Sequence, residues 1–205
     1  MLCHYHGQVW NSSEFARSFG VSHPTVRKYL DILTSAYVVQ QLSPWAENLG
    51  KRVVKSPKIY IADPGLLHAL LGIESPVDLL RHPKLGASWE GFLIAQIVRA
   101  LDARPDQCYF WATHAGAELD LLVVKGGHRL GFEVKRTDAP SVTASMRTAM
   151  ETLHLKRLDV VHAGGHSFPL ARGIRAVAAT DLLHALRPSE SRGRAGVGKR
   201  RPDAR

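Results

Sequence analysis

The sequence predicts an α/β (α+β) protein, with a small helical unit at the N-terminus followed by a mixed sheet flanked by helices. Three observations predict it. The stretch from Asn11 to Val39 reads as helix, tight turn, helix. "ELDLLVVKGGHRLGFEVK" reads as a β-hairpin, and segments with apolar faces at helical spacing lie on both sides of it. With 205 residues, 45% of them hydrophobic, the chain can bury one core of ordinary size or two small ones.

In "NSSEFARSFGVSHPTVRKYLDILTSAYVV", Ser12 or Ser13 can cap the first helix, and Phe15, Ala16 and Phe19 form its apolar side. Gly20 ends it in the left-handed conformation that closes many helices. Ser22 is the next cap, with Pro24 in the first turn, where its missing N–H costs nothing. Val26, Tyr29, Leu30 and Leu33 recur at helical spacing as the buried stripe, which turns His23, Thr25, Arg27, Lys28 and Asp31 outward. Two helices joined by a short Gly-containing turn make a helix-turn-helix, whose second helix can enter a major groove. "AYVVQQL" follows as a strand, and "ENLGKRVVKSPKIYIAD" can supply a wing hairpin carrying Lys51, Arg52, Lys55 and Lys58 toward phosphates. This unit resembles a winged-helix domain. The expected nucleic-acid contacts are His23, Thr25, Arg27, Lys28, Lys51 and Arg52. A helical protein-interaction module is the alternative.

The formal net charge is +9 and the isoelectric point about 9.9, as suits a polyanionic partner. Much of that charge is local. Residues 187–205, "RPSESRGRAGVGKRRPDAR", hold seven Lys/Arg against two Asp/Glu, a net +5, which leaves +4 for residues 1–186. This Arg/Gly/Ser/Pro-rich tail has little to bury and is expected to be disordered. Cys3 and Cys108 form no metal-ligand spacing and read as reduced thiols. No apolar run reaches the roughly 20 residues that span a bilayer, and no signal-peptide pattern opens the chain, so a cytoplasmic location is expected.

The chemistry centres on the hairpin. Gly126-Gly127 is a two-residue turn signal, so Lys125 pairs with His128 and paired positions sum to 253. Asp120 then falls opposite Glu133, and Lys135 leaves the same face as Glu133. Two like charges facing each other across strands are destabilising. A divalent cation gives them a reason, because Mg²⁺ commonly takes one or two carboxylates with waters and phosphate oxygens. A lysine beside it can orient the attacking water or stabilise charge on the phosphate. In "GASWEGFLIAQIVRAL" the apolar face is Leu93, Ile94, Ile97, Val98 and Leu101. Glu90 lies one turn before it and points partly toward the core, where a carboxylate needs a partner.

Helical Glu90, then Asp120, then Glu133-Val134-Lys135 resembles the PD-(D/E)xK nuclease superfamily, with Leu119 where the motif has Pro. The resemblance implies a restriction-endonuclease-like core with a mixed sheet flanked by helices. It makes Asp120 and Glu133 metal-binding acids, Glu90 the first-helix acid and Lys135 the catalytic lysine. "YIADPGLLHALLG", "LGASWEGFLIAQI", "ELDLLV" and "FEVKRT" behind a winged helix also look like an uncharacterised domain that follows AAA-type ATPase modules in many prokaryotic proteins. That resemblance implies an ATPase module in cis or in trans as a partner. Gly193, Gly198 and Lys199 fit G-x-x-x-x-G-K, but Arg200 replaces the Ser/Thr that holds Mg²⁺ and no strand precedes it, so ATP binding is not expected. The histidines form no HExxH, and Ser88 lies in no G-x-S-x-G elbow.

Residues 1–62 are thus expected to form a winged helix-turn-helix, 63–186 the nuclease-like domain and 187–205 the tail. "SVTASMRTAMETLHL" should be a helix capped by Ser141, and "LDVVHAG" and "IRAVAATDLLHAL" should supply the closing strands and helix. The expected function is DNA binding with phosphodiester hydrolysis dependent on Mg²⁺ or Mn²⁺. The alternative is a non-catalytic nucleic-acid-binding or regulatory module of an ATPase. A same-face ion pair of Glu133 with Lys135 is the plainest reading of the cluster.

Overall fold

In the computed structural model, residues 1–46 and 56–187 are described. Lys51, Arg52 and Lys55 of the expected wing, and the tail motif from Gly193 to Arg200, lie outside the described residues.

A single 3-10 turn, Leu2–Tyr5, leads into β1 (Gln8–Val9), α1 (Ser12–Phe19), α2 (His23–Ser35), β2 (Val39–Pro44) and β3 (Lys58–Ile61). Gly20 ends α1 at φ 64°, and the Ser22 hydroxyl caps α2 by accepting from the Thr25 N–H. Asn11, rather than Ser12 or Ser13, caps α1: with its backbone extended (φ −122°), its side-chain Oδ1 accepts from the Ser13 N–H at 3.2 Å. Phe15, Ala16, Val26 and Leu30 are buried with Trp10, Val39, Ile59 and Leu67. Tyr29, expected in the buried stripe, is 53% exposed, and Phe19 is also exposed. One small cluster covers only a narrow face of each helix, so α2 needs Val26 and Leu30 at i, i+4, with Leu33 packing partly, and leaves its flank to solvent.

The second zone runs α3 (Pro64–Leu70), α4 (Pro76–Arg81), α5 (Leu85–Ala100), β4 (Cys108–Ala112), β5 (Glu118–Lys125), β6 (His128–Lys135), α6 (Ala144–Thr152), β7 (Arg157–His162), β8 (Phe168–Ala171), β9 (Ile174–Ala178) and α7 (Leu182–Leu186). The Thr143 hydroxyl caps α6, two residues later than Ser141, accepting from the Met146 N–H. The described strands form one mixed sheet in the order β1-β3-β2-β4-β5-β6-β7-β9-β8. The N-terminal strands join it through a parallel pairing of β2 with β4, Ser43↔Tyr109 and Pro44↔Phe110. Among the described residues no helix is long and apolar enough to cross a membrane.

The β5–β6 hairpin keeps the register its turn dictates, from Lys125↔His128 to Leu121↔Phe132. Gly126 and Gly127 have φ of 58° and 74°, as a two-residue turn with two left-handed positions requires. Leu93, Ile94 and Ile97 of α5 and Leu182 of α7 pack on one sheet face with Phe110, Leu121, Phe132 and Val134. Met146, Ala149 and Leu153 pack on the other with Trp111, Leu119, Leu122 and Val160. Cys3 and Cys108 are buried and free.

Candidate active site at the end of the hairpin

β6 contributes Glu133 and Lys135. Phe132 and Val134 face α5, so alternation turns Glu133 and Lys135 to the side of Val160, the ladder partner of Glu133. Glu133 is 2% exposed. Its Oε1 lies 2.7 Å from the Lys135 Nζ, while Oε2 is buried with no hydrogen-bond partner among the described residues. Burial, then the Asp120 charge, push the Glu133 carboxyl up to about 7 against the pull of Lys135. Burial lowers the Lys135 ammonium, but Glu133 and Asp120 outweigh it and the net shift is upward.

β5 contributes Asp120 through an irregularity. Tyr109 pairs with Leu122 but Trp111 pairs with Leu119, so two steps on β4 match three on β5. The extra residue is a bulge, a device that re-aims side chains. Leu119 and Leu122 consequently both pack on the α6 side, with Leu121 between them on the α5 side. The described ladder to β6 stops at Leu121↔Phe132, one pair short of Asp120 and Glu133. There Asp120 Oδ2 accepts from the Val134 N–H at 2.9 Å, which fixes the carboxylate at a backbone group between Glu133 and Lys135.

α5 contributes Glu90, and β3 supplies the partners its burial demands. Glu90 Oε1 accepts from the Tyr60 hydroxyl at 2.6 Å and from the Lys58 Nζ at 3.4 Å. Lys58 also lies 3.7 Å from Asp120 Oδ1. Burial and then Asp120 raise the Glu90 carboxyl above its ordinary value. Burial lowers Lys58, but Glu90 and Asp120 outweigh it. Lys58, expected to reach toward phosphates, is only 8% exposed and belongs to the acid cluster. The alternation of "KIYI" carries the signal, since it puts Lys58 and Tyr60 on one face of β3. Nothing local says that this face meets Glu90.

Lys135, Glu133, Asp120 and Glu90 thus gather at one end of the sheet. His23, Arg27 and Lys28 are exposed on α2, away from this cluster, and line a separate groove of about 780 Å³ with Asp31 and Gln41. Thr25 is half-buried, its hydroxyl 2.9 Å from that of Ser22 in the cap of α2.

For a metal ion, the donors divide. Among the described residues no three His, Cys, Asp or Glu side chains group closely enough to hold one alone. Glu90 is tied through Oε1 to Lys58 and Tyr60, and Asp120 through Oδ2 to the Val134 N–H and through Oδ1 to Lys58. Asp120 and Glu133 fit: two carboxylates suit Mg²⁺, and Glu133 Oε2 is an acceptor without a donor among the described residues.

Residues 1–77 match the profile of a domain of unknown function, DUF8612, and residues 85–182 match another, DUF4143. No solved structure gives a significant match. The chain is 52% identical over 183 residues to the uncharacterized proteins Rv2008c of Mycobacterium tuberculosis and Mb2031c of Mycobacterium bovis. That alignment takes in 89% of the chain but 41% of each relative, so the chain spans about two-fifths of their length.

Proposed function

We propose that the chain is a DNA-binding protein with a PD-(D/E)xK-like site for phosphodiester hydrolysis dependent on Mg²⁺ or Mn²⁺. One observation carries the reading. Three carboxylates, Glu90, Asp120 and Glu133, meet two ammonium groups, Lys58 and Lys135, so the acids outnumber the cations. Glu90 and Asp120 share Lys58, while Glu133, paired with Lys135, keeps an Oε2 with no hydrogen-bond partner among the described residues. Such a site takes up either a proton or a cation.

Asp120 and Glu133 would hold the metal, which when bound polarises a phosphodiester and lowers the pKa of its water. The Val134 N–H holds Asp120 in place, and the buried walls keep Glu133 short of solvent. Lys135, its side chain 41% exposed, is the cation that can meet a phosphate or orient water. Glu90 positions Lys58. α2 would dock on the duplex as the second helix of a winged helix-turn-helix, with Arg27 and Lys28 on phosphates and His23 and Thr25 near the groove. The relatives' additional length is compatible with an ATPase module beside this one.

Calorimetric titration with Mg²⁺ tests the reading, alongside cleavage of duplex, single-stranded and branched DNA. Wild-type protein should bind the ion and cut at least one substrate, and Asp120→Asn and Glu133→Gln should do neither while staying folded. A second reading, a non-catalytic nucleic-acid-binding or regulatory module, draws on Lys58, an internal cation already set between Glu90 and Asp120. A wild-type protein that neither binds Mg²⁺ nor cuts would leave that reading in its place.

A further inference from the structure

The far end of the same hairpin carries a second concentration of charge, of opposite sign. A cleft of about 900 Å³ opens where β6 and β7 begin, with His128, Lys156, Arg157, Arg175 and Arg187 on its walls. No Asp or Glu lines it among the described residues. From His128 to Lys135 β6 rises roughly 23 Å, so the cleft and the acid cluster lie at opposite edges of the sheet. Lys125 also borders the cleft, but its ammonium is spent on the Leu101 and Asp102 carbonyls that end α5.

Two of the cations are held in fixed orientations. Asp159, with no exposed surface, lies beneath the cleft. Its Oδ1 takes Nε of Arg157 at 3.0 Å and Nε of Arg175 at 2.7 Å, and its Oδ2 takes Nη2 of Arg175 at 3.1 Å. Arg175 Nη2 also donates to the Ala185 carbonyl. The described bonds leave Nη1 of Arg175 and both terminal nitrogens of Arg157 for something else. Guanidiniums oriented in advance by a buried carboxylate lose little side-chain freedom on meeting an oxyanion. Asp159 cancels only one of their two charges. Lys156, Arg187 and His128 stand exposed on the rim. Leu130, Ile174 and Leu186 give the cleft an apolar wall.

We propose that this cleft binds the phosphate of a nucleotide, with Arg157, Arg175, Lys156 and Arg187 on the phosphate and the apolar wall against the base or sugar. The phosphate comes from a free nucleotide or from the end of a nucleic-acid strand. The proposal is independent of the acid cluster and holds whether or not that cluster hydrolyses anything.

The test follows the amide resonances of Leu130 and Gly173 in the full-length protein, which report the cleft and not the basic tail. The probes are inorganic phosphate, adenosine, adenosine monophosphate, and one oligonucleotide with and without a 5′-phosphate. Adenosine monophosphate should shift these amides and adenosine should not. A preference for the 5′-phosphorylated oligonucleotide over the mononucleotide identifies a strand end, and the reverse a free nucleotide. Lys156→Ala with Arg187→Ala, both exposed, should weaken binding at least tenfold while Mg²⁺ binding at the acid cluster stays unchanged. Arg175→Lys keeps the charge, removes the fork and should weaken binding as well. Asp120→Asn should leave it intact. Unmoved Leu130 and Gly173 amides with every phosphate probe, or unaltered affinity in the Lys156/Arg187 double variant, would overturn the proposal.

Discussion

Asp159 and Glu133 are two buried carboxylates on neighbouring strands, and the protein treats them differently. Asp159 bonds two arginines through both oxygens. Glu133 has one lysine on one oxygen and, among the described residues, no hydrogen-bond partner on the other. A buried charge with all its partners is architecture. One kept short of partners costs stability, and a protein retains it where a ligand or a proton completes it.

Removing each carboxylate sharpens the contrast most. Asp159→Ala removes the buried partner of two partly exposed arginines and should cost about 1–3 kcal/mol in denaturant unfolding. Glu133→Gln should hold or raise stability at pH 8 without metal, because it removes an ionised group that burial and Asp120 oppose. A large loss in Glu133→Gln would break the comparison and make Glu133–Lys135 a structural pair.

Stability against pH reads the same difference. Between pH 4.5 and 7 native Glu133 keeps a proton that the unfolded chain has released, so stability falls as pH rises through that window. The shift corresponds to about 3 kcal/mol, and the slope should be missing in Glu133→Gln. His6 works in the opposite sense. Burial lowers it to about 4, so its contribution is complete above 6.5 and is lost as pH falls toward 4. The wild-type curve minus the Glu133→Gln curve isolates Glu133.

Lys58→Met keeps the apolar stem and removes the cation between Glu90 and Asp120. It should cost about 2 kcal/mol at pH 8 and less at pH 5, with added Mg²⁺ restoring more stability than in the wild type. The smallest stability effect, within about 0.5 kcal/mol, belongs to Arg27→Ala with Lys28→Ala on the exposed flank of α2. If both touch phosphates, the slope of log affinity against log salt should fall by about 1.8. An unchanged slope would favour protein interaction over DNA.

The hairpin register was legible because two glycines set it and the strands beside them obey it. So was the buried face of α5, where Leu93, Ile94 and Ile97 recur at helical spacing. The bulge at Asp120 was not, because it is a mismatch with β4 and no single strand encodes it. Lys58 was missed for a related reason. Its neighbours suggested an exposed wing, whereas β3 carries it across the sheet to Glu90. Tyr29 erred the other way, because periodicity shows which side of a helix is apolar but not how much of that side a partner covers.

The parallel pairing of β2 with β4 rests on two residue pairs, Ser43↔Tyr109 and Pro44↔Phe110, extended by the Trp45 N–H to the Phe110 carbonyl at 2.7 Å. This seam joins the strands of the first 61 residues to the remainder of the sheet, and Lys58 reaches the acid cluster across it. Parting the seam would withdraw the cation that Glu90 and Asp120 share and leave those two carboxylates facing each other without it. The cluster therefore works as an electrostatic latch. Any excursion of the N-terminal strands has to work against that charge, and a cation arriving at Asp120 and Glu133 lowers the work. Hydrogen exchange at the Ser43 and Trp45 amides measures how often the latch slips.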